Sequence, residues 1–257
     1  MGTEGAVLVT RPEGQAGPLL ESLASAGFSA CHQPLLELLP LATLPQQVRQ
    51  AVLDLDGYQH VIFISANAVR FGLDTIDDYW PQLPAGVHWY AIGDKTADLL
   101  SQRGLAPLTP GAEMSSEGLL ALPSLAQVAG DRVLIVKGVG GRDTLRDTLA
   151  ERGARVDELA CYERRCPDLA EGALARLLQG QDVGAIAISS GEGLQNLLAL
   201  LSGEESTKFR DIVLIVPSRR VEKMARDAGF DWVEVAANAS DEAVLAALQQ
   251  WRSGSIE

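Results

Sequence analysis

Short apolar runs alternate with stretches that carry apolar residues at helical spacing along the whole chain. Ala6–Thr10 is an apolar run closed by Arg-Pro, which reads as a buried strand and its turn. Glu13–Ala26 places Leu19, Leu20, Leu23 and Ala24 on one helical face, and Gly27 stands at the C′ position. Phe28–Leu39 predicts a second strand with Pro34 near its middle. Proline has no N–H for a ladder, so this stretch is an edge or leaves its sheet. Helices are predicted over Val48–Leu55, Ala66–Asp74, Thr96–Gln102 and Ser115–Ala121, and strands over His60–Ser65 and Trp89–Ile92. The pattern then begins again. Arg132–Val136 reads as a strand, Gly138–Gly141 as a glycine-rich turn, Asp143–Glu151 as a helix and Ala154–Arg164 as a strand. Helices follow over Leu169–Leu178, Gly191–Leu201, Arg219–Ala228 and Asp241–Trp251, with strands over Val183–Ser189, Ile212–Val216 and Trp232–Val235. Such alternation implies an α/β protein whose parallel sheets are covered on both faces.

The two halves also echo each other. Val7-Leu-Val-Thr-Arg sits against Val133-Leu-Ile-Val-Lys. Val61-Ile-Phe-Ile-Ser-Ala-Asn sits against Ala185-Ile-Ala-Ile-Ser-Ser-Gly, and Ala91-Ile-Gly against Ile215-Val-Pro. Three matches in order at nearly one offset predict an internal duplication. Two assemblies satisfy it. The halves are sequential, with a break near Gln127–Asp131, or the opening βα unit of each half completes the other half's sheet. In the second case the chain crosses near Leu35–Leu38 and again near Tyr162–Cys166.

Composition narrows the function classes. A formal charge of −13 argues against nucleic acid or an anionic membrane as partner, while leaving room for a small anionic ligand in a local field. Apolar runs such as Val133–Val136 fall far short of the ~20 residues a membrane span needs. Met1–Gly5 shows no basic region leading into an apolar stretch, so no signal peptide is expected. Cys31, Cys161 and Cys166 lie at no metal-ligand spacing and suit a reducing, cytoplasmic compartment.

In α/β sheets ligands gather at the carboxyl ends of strands, and that rule selects the candidates. They are Arg11 after the first strand, then Ser65 and Asn67, then Gly93 and Thr96. The second half offers Lys137, Gly140 and Arg142, then Ser189, Ser190 and Gly191, then Ser218 and Arg220. Hydroxyls and free backbone N–H groups at helix starts bind anions, although each such residue also serves simply as a helix cap. Gly138-Val-Gly140-Gly-Arg142-Asp143 follows a strand, but Asp143 stands where a dinucleotide fingerprint needs its third glycine. Glu158 imitates the ribose acid of that fingerprint. Cys31-His32 has no second ligand pair, so no metal is expected. His32, His60 and His88 fall at or near strand starts or within strands, away from the carboxyl ends, where a catalytic triad would need one.

Taken together, these residues resemble the uroporphyrinogen-III synthase family. The matching pieces are Val9-Thr-Arg-Pro, Phe63-Ile-Ser-Ala-Asn-Ala-Val, Ala91-Ile-Gly-x-x-Thr96-Ala, Leu159-Ala-Cys-Tyr162-Glu-Arg, Ser189-Ser-Gly and Val216-Pro-Ser-x-Arg220-Val. Val216-Pro-Ser departs from the Ile-Gly-x turn of the family pattern. The resemblance implies closure of hydroxymethylbilane to uroporphyrinogen III, with inversion of ring D and loss of water, by a monomer without cofactor or metal. It implies two Rossmann-like (flavodoxin-like) parallel-sheet domains joined by a two-stranded β-ladder, with the active site in the cleft between them. Domain one is then 1–36 with 166–257, and domain two is 37–165. Within that chemistry Tyr162 either assists hydroxide departure, as phenol donor or organiser of water, or packs against the ladder between the domains, and the strand-end hydroxyls and cations meet the substrate carboxylates. A Rossmann-type nucleotide-dependent enzyme and a non-catalytic two-domain small-ligand binding protein are the competing readings.

Overall fold

A computed structural model of the chain describes residues 5–201 and 203–254. In chain order its elements are β1 (Ala6–Val9), α1 (Gly17–Ser25), β2 (Ala30–His32), β3 (Glu37–Pro40), α2 (Gln46–Leu53), β4 (His60–Phe63), α3 (Ala66–Asp77), β5 (His88–Ala91) and α4 (Asp94–Gln102). Next come α5 (Ser116–Leu120), α6 (Pro123–Ala126), β6 (Arg132–Gly138), α7 (Thr144–Glu151), β7 (Arg155–Arg165), α8 (Ala173–Gly180) and β8 (Val183–Ala187). The chain ends with α9 (Gly191–Leu200), α10 (Gly203–Lys208), β9 (Val213–Val216), α11 (Arg219–Asp227), β10 (Val233–Val235) and α12 (Asp241–Gly254).

Two compact units divide these elements: residues up to Leu38 with those from Arg165 onward, and Leu39–Arg164. The first holds a five-stranded sheet in the order β10-β9-β8-β1-β2. Its strands pair in parallel, and its two faces are packed separately. Leu8, Ile186 and Leu214 meet α8, α9 and α11 on one face, while Val7, Val9, Ala187 and Ile215 meet α1 and α12 on the other. Burial on both faces explains why β1 reads as an unbroken apolar run. The second sheet has the order β3-β7-β6-β4-β5. Val133, Ile135, Ile62 and Tyr90 face α5 and α7, and Gly72 of α3 lies against Val136 on the opposite face.

Pro34 acts as its chemistry requires. β2 is an edge strand, and past its end Gln33 N still donates to Val9 O at 3.1 Å and Leu35 N to Thr10 O at 3.2 Å. The missing N–H of Pro34 falls on the side with no neighbouring strand. Pairing lapses before β3, which joins the other sheet beside β7, where Leu41 N donates to Cys161 O at 3.2 Å. Two short helices, α6 and α10, carry too few residues to show a period, and α8 begins at Ala173 rather than Leu169.

The two sheets share an internal register. Val9 pairs with His32 and Ala187; in the second sheet Ile135 pairs with Glu158 and Ile62. Val7 corresponds to Val133, as the sequence match has it. The second match slides by one residue, because Leu8 pairs with Ile186 and Leu134 with Val61, so Val61 corresponds to Ile186 rather than Ala185. The helix caps agree: Ser65 and Ser190 hold equivalent places, as do Gly93 and Ser218.

Candidate active site

Four strand-to-helix turns are built alike. Ser65, Gly93, Ser190 and Ser218 each adopt an extended conformation and begin α3, α4, α9 and α11. Ser65 Oγ accepts from Ala68 N at 3.1 Å and Ser190 Oγ from Gly193 N at 3.0 Å, while Ser218 Oγ stands 3.5 Å from Val221 N. Gly93 has no side chain to offer, and its carbonyl accepts from Thr96 N and Ala97 N. The turns differ electrically. Asp94, Glu192 and Glu222 stand in the first turns of α4, α9 and α11, where they partly cancel the positive end of the helix dipole. α3 has no acidic residue there and keeps Asn67 in that turn. Thr96 is buried in the first turn of α4.

Tyr162 reaches the α3 turn from β7. Its hydroxyl lies 3.4 Å from Ser65 Oγ, and its ring stacks on Phe71 with centroids 5.0 Å apart. Its other contact is Gly138, where an added Cβ would sit 2.7 Å from the phenol Cζ. A register irregularity between Lys137 and Gly138 pairs Gly138 with Tyr162 and leaves Cys161 as the extra residue. Cys161 and Tyr162 therefore both point toward α3, although successive residues of a regular strand alternate. Cys161 Sγ donates to Lys137 O at 3.3 Å, and burial pushes its thiol up to about 12.

Lys137 lies on the opposite face of the same sheet. It is 5% exposed and donates from Nζ to Glu158 Oε1 at 3.0 Å, with Asp143 Oδ1 at 4.0 Å. It borders a cavity of about 230 Å³ floored by Ile64, Ile92, Ile135 and Leu145, with Met114 and Ser115 at its wall. Arg142 also lines this cavity, 3.5 Å from Glu117, as does Arg146, paired with Asp143 and Asp147. Gly140 and Gly141 take φ of +75° and +97°, so the loop between β6 and α7 needs glycine there.

In the other unit, Arg11 is held by Asp241 and donates to Ala239 O at 2.8 Å. Arg220 lies across the start of α9: an added Cβ at Gly191 would meet its guanidinium at 3.2 Å. Ser189 is half-buried and precedes the cap, Ser190.

In the Leu39–Arg164 unit, Tyr162 meets Ser65, with Asn67 in the same α3 turn, and Lys137 and Arg142 line the cavity; Gly93 and Thr96 at the start of α4, and Gly140 in the loop after β6, join neither group. His32 requires a correction. It is the last residue of β2, at a carboxyl end, because Pro34 cuts the strand short; its Nε2 lies 2.8 Å from Arg11 O. The fingerprint comparison makes Glu158 only an imitation ribose acid, yet it is the partner of Lys137. Met114 carries no sequence signal as a cavity residue, since it comes from an irregular loop, and Ser115 signals only the cap of α5, where its Oγ accepts from Gly118 N at 3.0 Å. Among the described residues, no three His, Cys, Asp or Glu form a group fit for a metal ion. No described helix is long and apolar enough to cross a membrane.

The family model described as uroporphyrinogen-III synthase HemD matches residues 18–246. The chain belongs to the uroporphyrinogen-III synthase family. It is 38% identical over 250 residues to the uroporphyrinogen-III synthase of Escherichia coli, covering 95% of this chain and 99% of that one. It is 31% identical to that of Synechococcus elongatus, covering 76% and 74%. The family fold recurs in the crystal structures of uroporphyrinogen-III synthetase from Helicobacter pylori (TM-score 0.64, 13% identity, 96% and 99% covered) and of a mutant synthase from Thermus thermophilus (TM-score 0.59, 17% identity, 95% and 98% covered).

Proposed function

We propose that this chain closes hydroxymethylbilane to uroporphyrinogen III, inverting ring D and releasing water. Family membership over residues 18–246 is the observation that carries this reading. The leaving hydroxide departs from a benzylic-like carbon on an electron-rich pyrrole, a step that needs only a weak acid. Tyr162 supplies it, as phenol donor or by ordering a water. Its hydroxyl beside Ser65, at the one helix start of the four without a first-turn carboxylate, supports that role. The proton given to the hydroxyl is matched by the one lost from ring D after closure. The harder task is to make the wrong carbon of ring D attack through a spiro intermediate, which is a matter of positioning.

The substrate's carboxylates call for many donors. We assign Ser65, Asn67, Gly93 and Thr96 with Lys137, Gly140 and Arg142 in one unit to them. In the other unit we assign Arg11, Ser189, Ser190, Gly191, Ser218 and Arg220. We further infer two Rossmann-like domains, 1–36 with 166–257 and 37–165, joined by a two-stranded ladder and descended from one duplicated ancestor. Matching strand order, register and caps support the duplication. The enzyme acts as a cytoplasmic monomer without cofactor, and free thiols at Cys31, Cys161 and Cys166 suit that compartment. The deciding experiment supplies hydroxymethylbilane and separates the ring isomers. Uroporphyrinogen III is expected; only the spontaneous I isomer overturns the reading.

A further inference from the structure

We infer that the cavity at Lys137 is a subsite for one acid arm of one pyrrole ring, a carboxylate on a short alkyl stem, with Glu158 as the residue that positions Lys137. The inference rests on the proposed reaction and deepens it. The cavity's about 230 Å³ lies below the roughly 300–1,000 Å³ of sites that take a drug-sized ligand, so it suits a fragment of the tetrapyrrole rather than the whole. It opens at the carboxyl ends of β4, β5 and β6, where ligands of such sheets gather.

Its lining has two characters. Ile64, Ile92, Ile135 and Leu145 form an apolar floor that favours a hydrocarbon stem. The ammonium of Lys137, whose side chain is 7% exposed, stands in the wall. An ammonium has three N–H groups. Glu158 accepts one at 3.0 Å, and Asp143, at 4.0 Å, is beyond hydrogen-bond reach. Donor capacity therefore remains on the cavity side. Glu158 offsets the cost of burying the cation and fixes its direction. Arg142, paired with Glu117, and Arg146, paired with Asp143 and Asp147, also line the cavity, so Lys137 is the cation that the apolar floor leaves for a ligand. An apolar floor beneath a held ammonium recognises a carboxylic acid with an alkyl stem, and it discriminates against the neutral ester, which weakens the charge-assisted bond.

The test titrates a pyrrole monopropionate and its methyl ester into the full chain, with binding followed by ligand-observed NMR. The acid is expected to bind at least about tenfold more tightly than the ester. Lys137→Met should remove that difference, and Ile92→Phe, which fills the cavity and leaves every charge in place, should weaken both. Glu158→Gln should weaken the acid less than Lys137→Met does, and Lys137→Arg should restore part of the preference. Thermal melts confirm that each variant is folded. Equal binding of acid and ester, no binding of the acid, or acid binding indifferent to both Lys137→Met and Ile92→Phe overturns the subsite. Uroporphyrinogen III formation by the wild-type chain is measured separately. A chain that forms it while failing the titration loses the subsite alone; a chain that forms only the I isomer loses the reaction itself.

Discussion

The phenol of Tyr162 lies against the bare backbone of Gly138, so closely that a Cβ at Gly138 would stand 2.7 Å from its Cζ. Phe71 stacks on the ring with centroids 5.0 Å apart, and the hydroxyl lies 3.4 Å from Ser65 Oγ. Gly138→Ala should push the ring out of this slot and cost about 1–3 kcal/mol of stability through overpacking. Turnover should fall by more than that loss explains, because the phenol moves. A turnover unchanged from wild type, measured by isomer formation well below the melting temperature, would show that the ring's position is irrelevant.

Removing the phenol oxygen alone separates chemistry from packing. Tyr162→Phe keeps both ring contacts and gives up one long hydrogen bond, so stability should change by less than about 1 kcal/mol. kcat should drop, by about 10²-fold if the phenol is the proton donor. Wild-type kcat in Tyr162→Phe would leave Tyr162 a packing residue.

Ser65 carries two duties that mutation should expose together. Its Oγ caps α3 through Ala68 N and approaches Tyr162. Ser65→Ala should lower stability by about 0.5–2 kcal/mol and also raise KM. Ser190 caps α9 in the equivalent place. Ser190→Ala should therefore cost similar stability, which chemical denaturation of both variants would check.

At the amino ends of the same strands, His60 joins Tyr90 OH at 2.9 Å to Asp131 Oδ2 at 3.1 Å. His60→Phe leaves a buried hydroxyl and a carboxylate without that partner. A loss of about 1–3 kcal/mol is expected, with KM unchanged in the folded protein. A rise in KM would mean that this end of the sheet communicates with the substrate.

Cys161 gives the alkaline limb a signature. Burial raises its thiol from 9.0 to about 12, so the folded chain holds a proton that the unfolded chain releases. Stability linked to this group is present below pH 9 and is lost as the pH rises from 9.0 toward about 12. Denaturation of wild type and Cys161→Ala across that window should show a shallower decline in the variant. Parallel curves would remove Cys161 from the account.

Much of this was legible in the chain. The strand–helix alternation is strong because strands such as β1 and β4, buried on both faces, leave continuous apolar runs. Pro34 announced an edge through a missing donor. Finer matters were hidden for physical reasons. Ser65 and Ser189 share a motif position, yet the cap is Ser190, since hydrogen-bonded register rather than residue identity sets equivalence. The pointing of Tyr162 depends on an irregular pair in β6 and β7, and nothing in Cys161-Tyr162 marks it. Met114, in the cavity wall, comes from a loop, where spacing carries no period.

The last two residues of β6 face opposite ways. Lys137 serves the cavity beside α7, while Gly138 serves Tyr162 beside α3. One peptide bond therefore couples two workplaces on opposite sides of a sheet. A deletion within β6 would not trim a strand so much as swap its tools, sending bare backbone to the cavity and an ammonium to the phenol. Change at either position is answerable to both, so neither Lys137 nor Gly138 can shift along the strand without disturbing the other's face.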